Sequence, residues 1–381
     1  MDNIEMVLER GVSEILPSKK GLEKLMRAKK ITLYQGFDPS SSSLHIGNLI
    51  GIRKLAQFQR LGHKVIFLIG DFTGMIGDPT DKSASRKRMT REEVLKNAQG
   101  YKEQISKVLE FEGPNAAEIK YNSEWLSKLS FEEICELASN FTAQQILERD
   151  FFQDRLKKKK PIYLHEFLYP LMQGYDCVAM DVNLEVGGSD QLFNMMAGRT
   201  LMKTLKGKEK YVLTMKLLED TTGKKMGKTE GNTINLTDAP EVMFAKIMAL
   251  PDTLIRPGIE LLTDLSLDEI AAEKPMVAKK KLAFEVVSQV FGTSSARSAQ
   301  NSFEKTFQEK MPDYSQTVNF KNDLVSTITQ VVKSKSEAKR LIIQGAVDVN
   351  EKTETSPTLK IKVGDKLKVG QRIFVKVKNV K

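Results

Sequence analysis

The sequence predicts an α/β protein built on a parallel sheet, continued by a helical segment and closed by a small, basic α+β module. Three observations carry this expectation. The runs ITLYQGF (31–37) and KVIFLIG (64–70) are short and apolar, as buried strands are, and helical spacing governs the residues between them. Residues 240–310 keep a helical pattern. The last sixty residues pair one helical stretch (334–344) with short alternating runs, AVDVN, KIKVGDKLKV and RIFVKV.

Taken in order, the segment from His45 to about Leu61 places Ile46, Leu49, Ile50, Leu55 and Phe58 on one face, which suits a helix packed on a sheet. Strand, serine-capped helix and strand within forty residues make a βαβ unit, which requires a parallel sheet. Such a unit binds ligands at the carboxyl ends of its strands, beside helix N-termini. Residues 90–160 read as mainly helical, ending in the cationic run Lys157–Lys160. A helix is expected over 162–177, a two-glycine loop over 186–190, and a further helix after it. A strand-like stretch near 211 then gives way to a segment rich in Gly, Thr and Lys, and 311–322 reads as a polar linker. The expected domains are 1–235 with a helical insertion at 90–160, a helical domain at 236–315, and a terminal module at 323–381.

Composition narrows the function. At 381 residues with 40% hydrophobic content, the chain is large enough for two or three domains with sizeable cores. No apolar run approaches the roughly 18–20 residues of a membrane span, and the start MDNIEMVLERG lacks an apolar signal core. Two distant cysteines and three histidines do not make a cysteine-type zinc site, so no protein-bound zinc or other metal is expected, and a reduced, cytoplasmic protein is. The net charge of +10 is uneven: residues 333–381 hold 13 Lys/Arg against 5 Asp/Glu. A basic module on a near-neutral body points to a polyanion, RNA or DNA before membrane.

Five segments carry chemistry. In DPSSSSLHIGNL (38–49), His45 at a helix mouth can donate to an anion that the helix N-terminus also attracts; alone, the segment fits an ordinary capped helix start equally well. GDFTGMIGDPTDKSASRKR (70–88) joins turn-forming glycines to Asp78, Lys82 and Arg86, suited to a pyrophosphate or to a solvated loop. In YLHEFLYPLMQGYD (163–176) the zinc pattern HExxH fails, because Tyr169 stands where the second histidine belongs. Tyr169, Gln173 and Asp176 instead share one helix face, a phenol, an amide and a carboxylate that suit a small polar ligand. EVGGSDQLFN (185–194) allows close backbone approach, with Asp190 able to accept ribose hydroxyls. GKKMGKT (223–229) presents several cations on a glycine-bearing loop, a clamp for phosphate charge or an exposed hairpin tip.

In this order and spacing the segments resemble the class I aminoacyl-tRNA synthetases, and within them the bacterial tyrosyl enzymes. His45-Ile46-Gly47-Asn48 resembles the family's HIGH motif, and Lys225-Met226-Gly227-Lys228-Thr229 its KMSKS loop. YQGFDPS, GDFTGMIGDP, YPLMQGYD and GGSDQ are similar to tyrosyl-enzyme segments, and SKSEAKRLIIQGAVDVN resembles an S4 RNA-binding domain. The resemblance implies a Rossmann-like catalytic domain with a helical insertion, a helical anticodon-side domain and an S4-like module. It implies activation of L-tyrosine by ATP, accompanied by Mg2+, to tyrosyl-adenylate and pyrophosphate, then transfer to the 3′ end of tRNA(Tyr). It also implies a homodimer through 90–160.

The roles it implies are specific. Tyr34 and Asp176 would hold the phenolic hydroxyl, Tyr169, Gln173 and Asp78 the ammonium, and Gln191 the carboxylate side. Gly36, Asp38, Ser40, His45, Gly47, Asn48, Gly188 and Asp190 would contact ATP or the adenylate. Lys82, Arg86, Lys225, Lys228 and Thr229 would join His45 and Asn48 in stabilising the transition state. Lys333, Lys335, Lys339 and Arg340 would meet RNA. Two positions depart from the motifs: Asn48 can donate but cannot be cationic, and Gly227 replaces a serine. Two rival readings are a tryptophanyl enzyme, opposed by Tyr34, Asp176 and the tail, and an RNA-binding relative without catalysis, opposed by His45 and the four loop cations.

Overall fold

The computed structural model describes residues 2–79, 89–219, 233–307, 314, 316–332, 334–370 and 373–379. Lys82, Arg86, Lys225, Gly227, Lys228, Thr229 and Lys333 lie outside the described residues. The chain divides into two compact units, 1–237 with 251–275, and 238–250 with 276–381.

The first unit is built on six strands: β1 (Val12–Leu16), β2 (Thr32–Phe37), β3 (Lys64–Ile69), β4 (Glu118–Tyr121), β5 (Leu184–Gly188) and β6 (Tyr211–Met215), in the order β1-β6-β5-β2-β3-β4. All neighbours are parallel except β1, which runs antiparallel to β6. Val65 to Ile69 are each at most 1% exposed, the two-sided burial that parallel strands require. Phe37 and Phe67 stack across β2 and β3 at 4.4 Å. Tyr34, Ile66 and Leu68 share a core with Leu171, Cys177, Val178, Leu201 and Met202, from the helices His165–Met180 and Leu192–Lys206. The helix Ile46–Arg60 buries Ile46, Leu49, Ile52, Leu55 and Phe58.

Several elements differ from expectation. Residues 90–160 contain β4, a short edge strand of half-buried residues that no apolar run announces. Of the expected loop at 186–190, residues 186–188 are the end of β5, so both glycines are strand residues, and 189–190 open a 3-10 turn. The helix expected at 162–177 runs from His165 to Met180. The unit boundary also departs from the one expected near 236. Arg10 donates to the carbonyls of Ile259, Glu260 and Leu265 at 2.7–3.1 Å, and Arg53 pairs with Asp264 at 2.7 Å. These bonds tie Ile255–Leu262 and its successor to the first unit.

In the second unit, β7 (Thr317–Asn319), β8 (Val347–Val349), β9 (Lys352–Glu354), β10 (Lys366–Val369) and β11 (Ile373–Lys378) form a sheet in the order β7-β11-β10-β8-β9. Its core joins Val318, Leu324, Ile328, Ala338, Ile342, Leu367 and Val375. Because β7 pairs with β11, this module begins upstream of the expected residue 323. Among the described residues no helix is long and apolar enough to cross a membrane.

One buried cation ties the N-terminal helix to the sheet unit. Lys54 is 2% exposed and donates from Nζ to the carbonyls of Val7 (2.6 Å) and Arg10 (3.0 Å). Burial, then the neighbouring Arg53, lowers its pKa from 10.5 to about 7. Between those values the unfolded chain holds a proton that the folded site has released, so this group's contribution to stability rises with pH. Urea unfolding is expected to show wild type gaining about 2 kcal/mol over Lys54→Met between about pH 7 and about pH 9. Equal differences at both pH values would refute the assignment.

Candidate active site at the carboxyl edge of the sheet

The strand order reverses between β2 and β5: the chain runs outward from β2 through β3 to β4, then returns to β5 and β6. Ligands of doubly wound sheets bind in the crevice outside the carboxyl ends of the strands at such a switch. Here four of the parallel strands deliver polar residues past their ends: Asp38 and His45 after β2, Thr73 and Asp78 after β3, Asn122 and Trp125 after β4, Asp190 and Gln191 after β5.

At the mouth, His45 is itself the N-cap of the helix Ile46–Arg60. The expectation that serines cap this helix is therefore corrected. Ser41 and Ser43 donate instead to the carbonyls of Ser43 and Leu44, bracing the turn. The Gly47 N–H donates to His45 Nδ1 at 3.1 Å, and the His45 N–H donates to Asn48 Oδ1 at 3.0 Å. An imidazole accepting at Nδ1 carries its proton on Nε2, so the ring presents a donor at the positive end of a four-turn helix. Ile46 N–H and Leu236 N–H bond to the carbonyls of Ile234 and Leu44, with His45 bridged to Asn235. The segment leaving the 223–229 cations is thereby pinned to the His45 turn.

Deeper in the crevice the polar groups form a chain. Tyr169 Oη donates to Asp38 Oδ2 (2.8 Å) and Thr73 Oγ1 to Asp38 Oδ1 (2.7 Å). Asn122 Nδ2 donates both to Thr73 Oγ1 (3.0 Å) and to Asp176 Oδ2 (3.3 Å), and Trp125 Nε1 donates to Asp176 Oδ1 (2.8 Å). Gly70 lies behind Asp38: a Cβ there would stand 2.0 Å from Oδ1, so only glycine lets the carboxylate seat. Likewise a Cβ on Gly188 would meet Asp190 Oδ1 at 2.5 Å. Burial pushes Asp176 well above the usual carboxylate range, with Trp125 and Asn122 opposing. Burial, then Asp38 and Asp78, likewise raises Tyr169.

Tyr34 Oη is buried, makes no hydrogen bond of good geometry among the described residues, and lies against the Glu185 carboxylate. Burial and then Glu185 raise its pKa well above 10, with Asp176 a further neighbour. A donor–acceptor hydroxyl held without a hydrogen bond of good geometry is costly, and it is satisfied when a ligand supplies one.

On the other side Gln191 Nε2 donates to Asp78 Oδ2 (2.7 Å), and Asn194 Nδ2 donates to Gln191 Oε1 (2.9 Å). These contacts bring Tyr34, Asp38, Asp78, Tyr169, Gln173, Asp176 and Gln191 together at the carboxyl edge of the sheet, on the side where His45 follows β2. Ser40 sits in the turn after β2, its N–H bonded to the Asp38 carbonyl at 2.7 Å, and Gly36 is a β2 residue. Asn122, Trp125, Thr73, Glu185, Lys210 and Arg149 were not foreseen. Arg149 is buried and stacked on Phe151 and Phe193 at 4.4 and 4.8 Å, and burial lowers its pKa while the Asp78 carboxylate opposes.

Comparison with known proteins decides the family. Residues 26–308 match the model of the tRNA synthetases class I (W and Y). The chain belongs to this family. A tyrosine–tRNA ligase of Carboxydothermus hydrogenoformans is 41% identical across 97% of this chain and 96% of its own length. One from Geobacter metallireducens is 42% identical, covering 97% of both. Among solved structures, a C-terminally truncated mitochondrial tyrosyl-tRNA synthetase of Coccidioides posadasii aligns with TM-score 0.65 and 26% identity over 79% of this chain and 91% of that one. The class I synthetase fold also aligns with the Archaeoglobus fulgidus enzyme complexed with L-tyrosine, at TM-score 0.60 and 22% identity, over 79% and 100% of the two chains.

Proposed function

We propose that this class I synthetase is a tyrosine–tRNA ligase: it joins L-tyrosine to ATP, releasing pyrophosphate, and passes the tyrosyl group to the 3′ end of tRNA(Tyr). The observation that carries the choice of amino acid is the buried Tyr34 hydroxyl, without a hydrogen bond of good geometry, beside buried Asp176. A phenol can accept from the first and donate to the second, whereas phenylalanine would leave both polar groups unmatched. Tryptophan has no hydroxyl to offer this pair.

In the first step a tyrosine carboxylate oxygen attacks the α-phosphorus of ATP, and the bond to the bridging oxygen of pyrophosphate breaks. A carboxylate is already a nucleophile at neutral pH, so no general base is required. Positioning and charge stabilisation suffice. Tyr169, Gln173 and Asp78 hold the ammonium, with Gln191 toward the carboxylate. His45 Nε2–H and the helix N-terminus meet the phosphates, with Gly47 and Asn48 on the first turn. Asp38, Ser40, Gly36, Gly188 and Asp190 line the nucleotide side. Lys82, Arg86, Lys225, Lys228 and Thr229 supply charge and a hydroxyl to the departing pyrophosphate, and Mg2+ arrives with ATP as part of the substrate. The second step needs RNA binding, for which the exposed Lys335, Lys339 and Arg340 of the second unit, with Lys333, offer cations. The helices at 276–307, in the second unit, are assigned to the anticodon side in this reading, the chain works in the cytoplasm, and no zinc is required.

The region around 130–168 exposes Phe131 and Leu164 (each 82%), Tyr163 (52%) and Leu156 (48%). So much large apolar surface supports a homodimer formed through this part of the chain. Light scattering is expected to return twice the 42.9 kDa chain mass, and a monomer at micromolar concentration would count against it.

ATP–pyrophosphate exchange is expected with tyrosine and not with tryptophan. In the same assay His45→Ala should slow exchange about 100-fold while leaving tyrosine affinity nearly unchanged. A large loss of tyrosine binding in that variant would contradict the assigned role. Removal of residues 316–381 should spare exchange yet weaken tRNA charging, more so as salt rises. Unchanged charging kinetics would remove the module from RNA recognition.

A further inference from the structure

Glu185 and Lys210 form a buried ion pair that none of the roles above uses. Their side chains are 2% and 0% exposed. Lys210 Nζ also donates to the Met195 carbonyl at 3.0 Å, and Glu185 Oε1 accepts from Gln173 Nε2 at 2.9 Å. Glu185 on β5 stands directly opposite Tyr34 on β2 in the parallel register, which places the pair at the wall of the phenol pocket. Stability alone does not explain it. A buried ion pair is often no better than a well-packed apolar pair, because desolvation offsets the attraction.

Its consequence for Gln173 is specific. A carboxylate bound to a lysine only accepts, so the Gln173 amide must turn its NH2 group toward Glu185. The opposite rotamer would set the amide oxygen against a carboxylate. With Nε2 committed, Oε1 is the acceptor at the far side of the amide. A substrate ammonium only donates and therefore needs an acceptor there. We propose that Glu185, with Lys210 as its counter-ion, is a positioning residue that locks the Gln173 amide oxygen toward the substrate's ammonium. This rests on the tyrosine-binding reading of the site.

The test is the double variant Glu185→Gln/Lys210→Met in the full chain. It keeps the side-chain volumes, leaves no lone buried charge, and offers Gln173 either an oxygen or an NH2, so the amide is free to flip. Calorimetric titration compares L-tyrosine with 3-(4-hydroxyphenyl)propionate, which has the same phenol and no amine. Tyrosine affinity is expected to fall about tenfold to a hundredfold while the amine-free analogue changes less than about twofold. The ratio of the two affinities does not depend on the fraction of folded protein, so the single variant Glu185→Gln is read in the same way if the double variant folds poorly. Equal losses for both ligands, or no loss for tyrosine, overturn the positioning role. Failure of the wild-type protein to bind either ligand would instead overturn the reading of the site.

Discussion

Two carboxylates buried near Tyr34, Asp176 and Glu185, set the terms for the rest of the catalytic unit. A buried carboxylate is tolerated only when donors surround it, and each recruits them from distant parts of the chain. Asp176 draws Asn122 and Trp125 from beyond β4, and Glu185 draws Lys210 from the start of β6 and Gln173 from the helix His165–Met180. Satisfying two side chains thus fixes how β4, β5, β6 and one helix meet at the edge of the sheet. The Tyr34 hydroxyl, which makes no hydrogen bond of good geometry among the described residues, is a group in that set that a ligand can complete.

The crevice extends this logic outward. Asn122 touches both Asp176 and Thr73, and Thr73 and Tyr169 both donate to Asp38. The carboxylate beneath the phenol position and the carboxylate at the turn before His45 are therefore joined by three hydrogen bonds without a break. In a water-poor site such bonds polarise one another, and a change at one end alters the geometry available at the other. In the proposed function, substrate recognition and nucleotide placement share this frame.

Much of this was legible in the sequence because it obeys local periodicity. Tyr169, Gln173 and Asp176 recur at helical spacing, and a two-turn helix face is sufficient to bring them together. The strands β2 and β3 announce themselves as apolar runs, and the helix beginning at Ile46 by its buried stripe. What escaped depends on pairings across long separations. β4 reads EIKY, four half-buried residues with charges at Glu118 and Lys120, and so carries no run to detect. Missing β4 hid Asn122 and Trp125, whose position is meaningful only as the residues just past a strand end. Glu185 and Lys210 look like solvent-facing charges until the sheet sets them side by side. The helix cap escaped for a different reason: four serines offered the commoner cap, and tertiary bridging to Asn235 delivered His45 to that position instead.

That cap also accounts for Asn48, the departure from the family motif. Its Oδ1 accepts from the backbone N–H of His45, closing a reciprocal box in which His45 Nδ1 accepts from Gly47. The position therefore asks for an acceptor three residues into the helix. A protonated imidazole has none to give, whereas a neutral amide always does. By holding the His45 backbone, Asn48 fixes the ring that Gly47 already constrains, and the tautomer follows from the two bonds together. The missing second histidine removes a potential cation from the helix mouth but preserves the geometry that aims the first. In the proposed reaction, charge at the phosphates then falls to His45 Nε2–H and the helix N-terminus, joined by the lysines and arginines of segments 82–88 and 223–229.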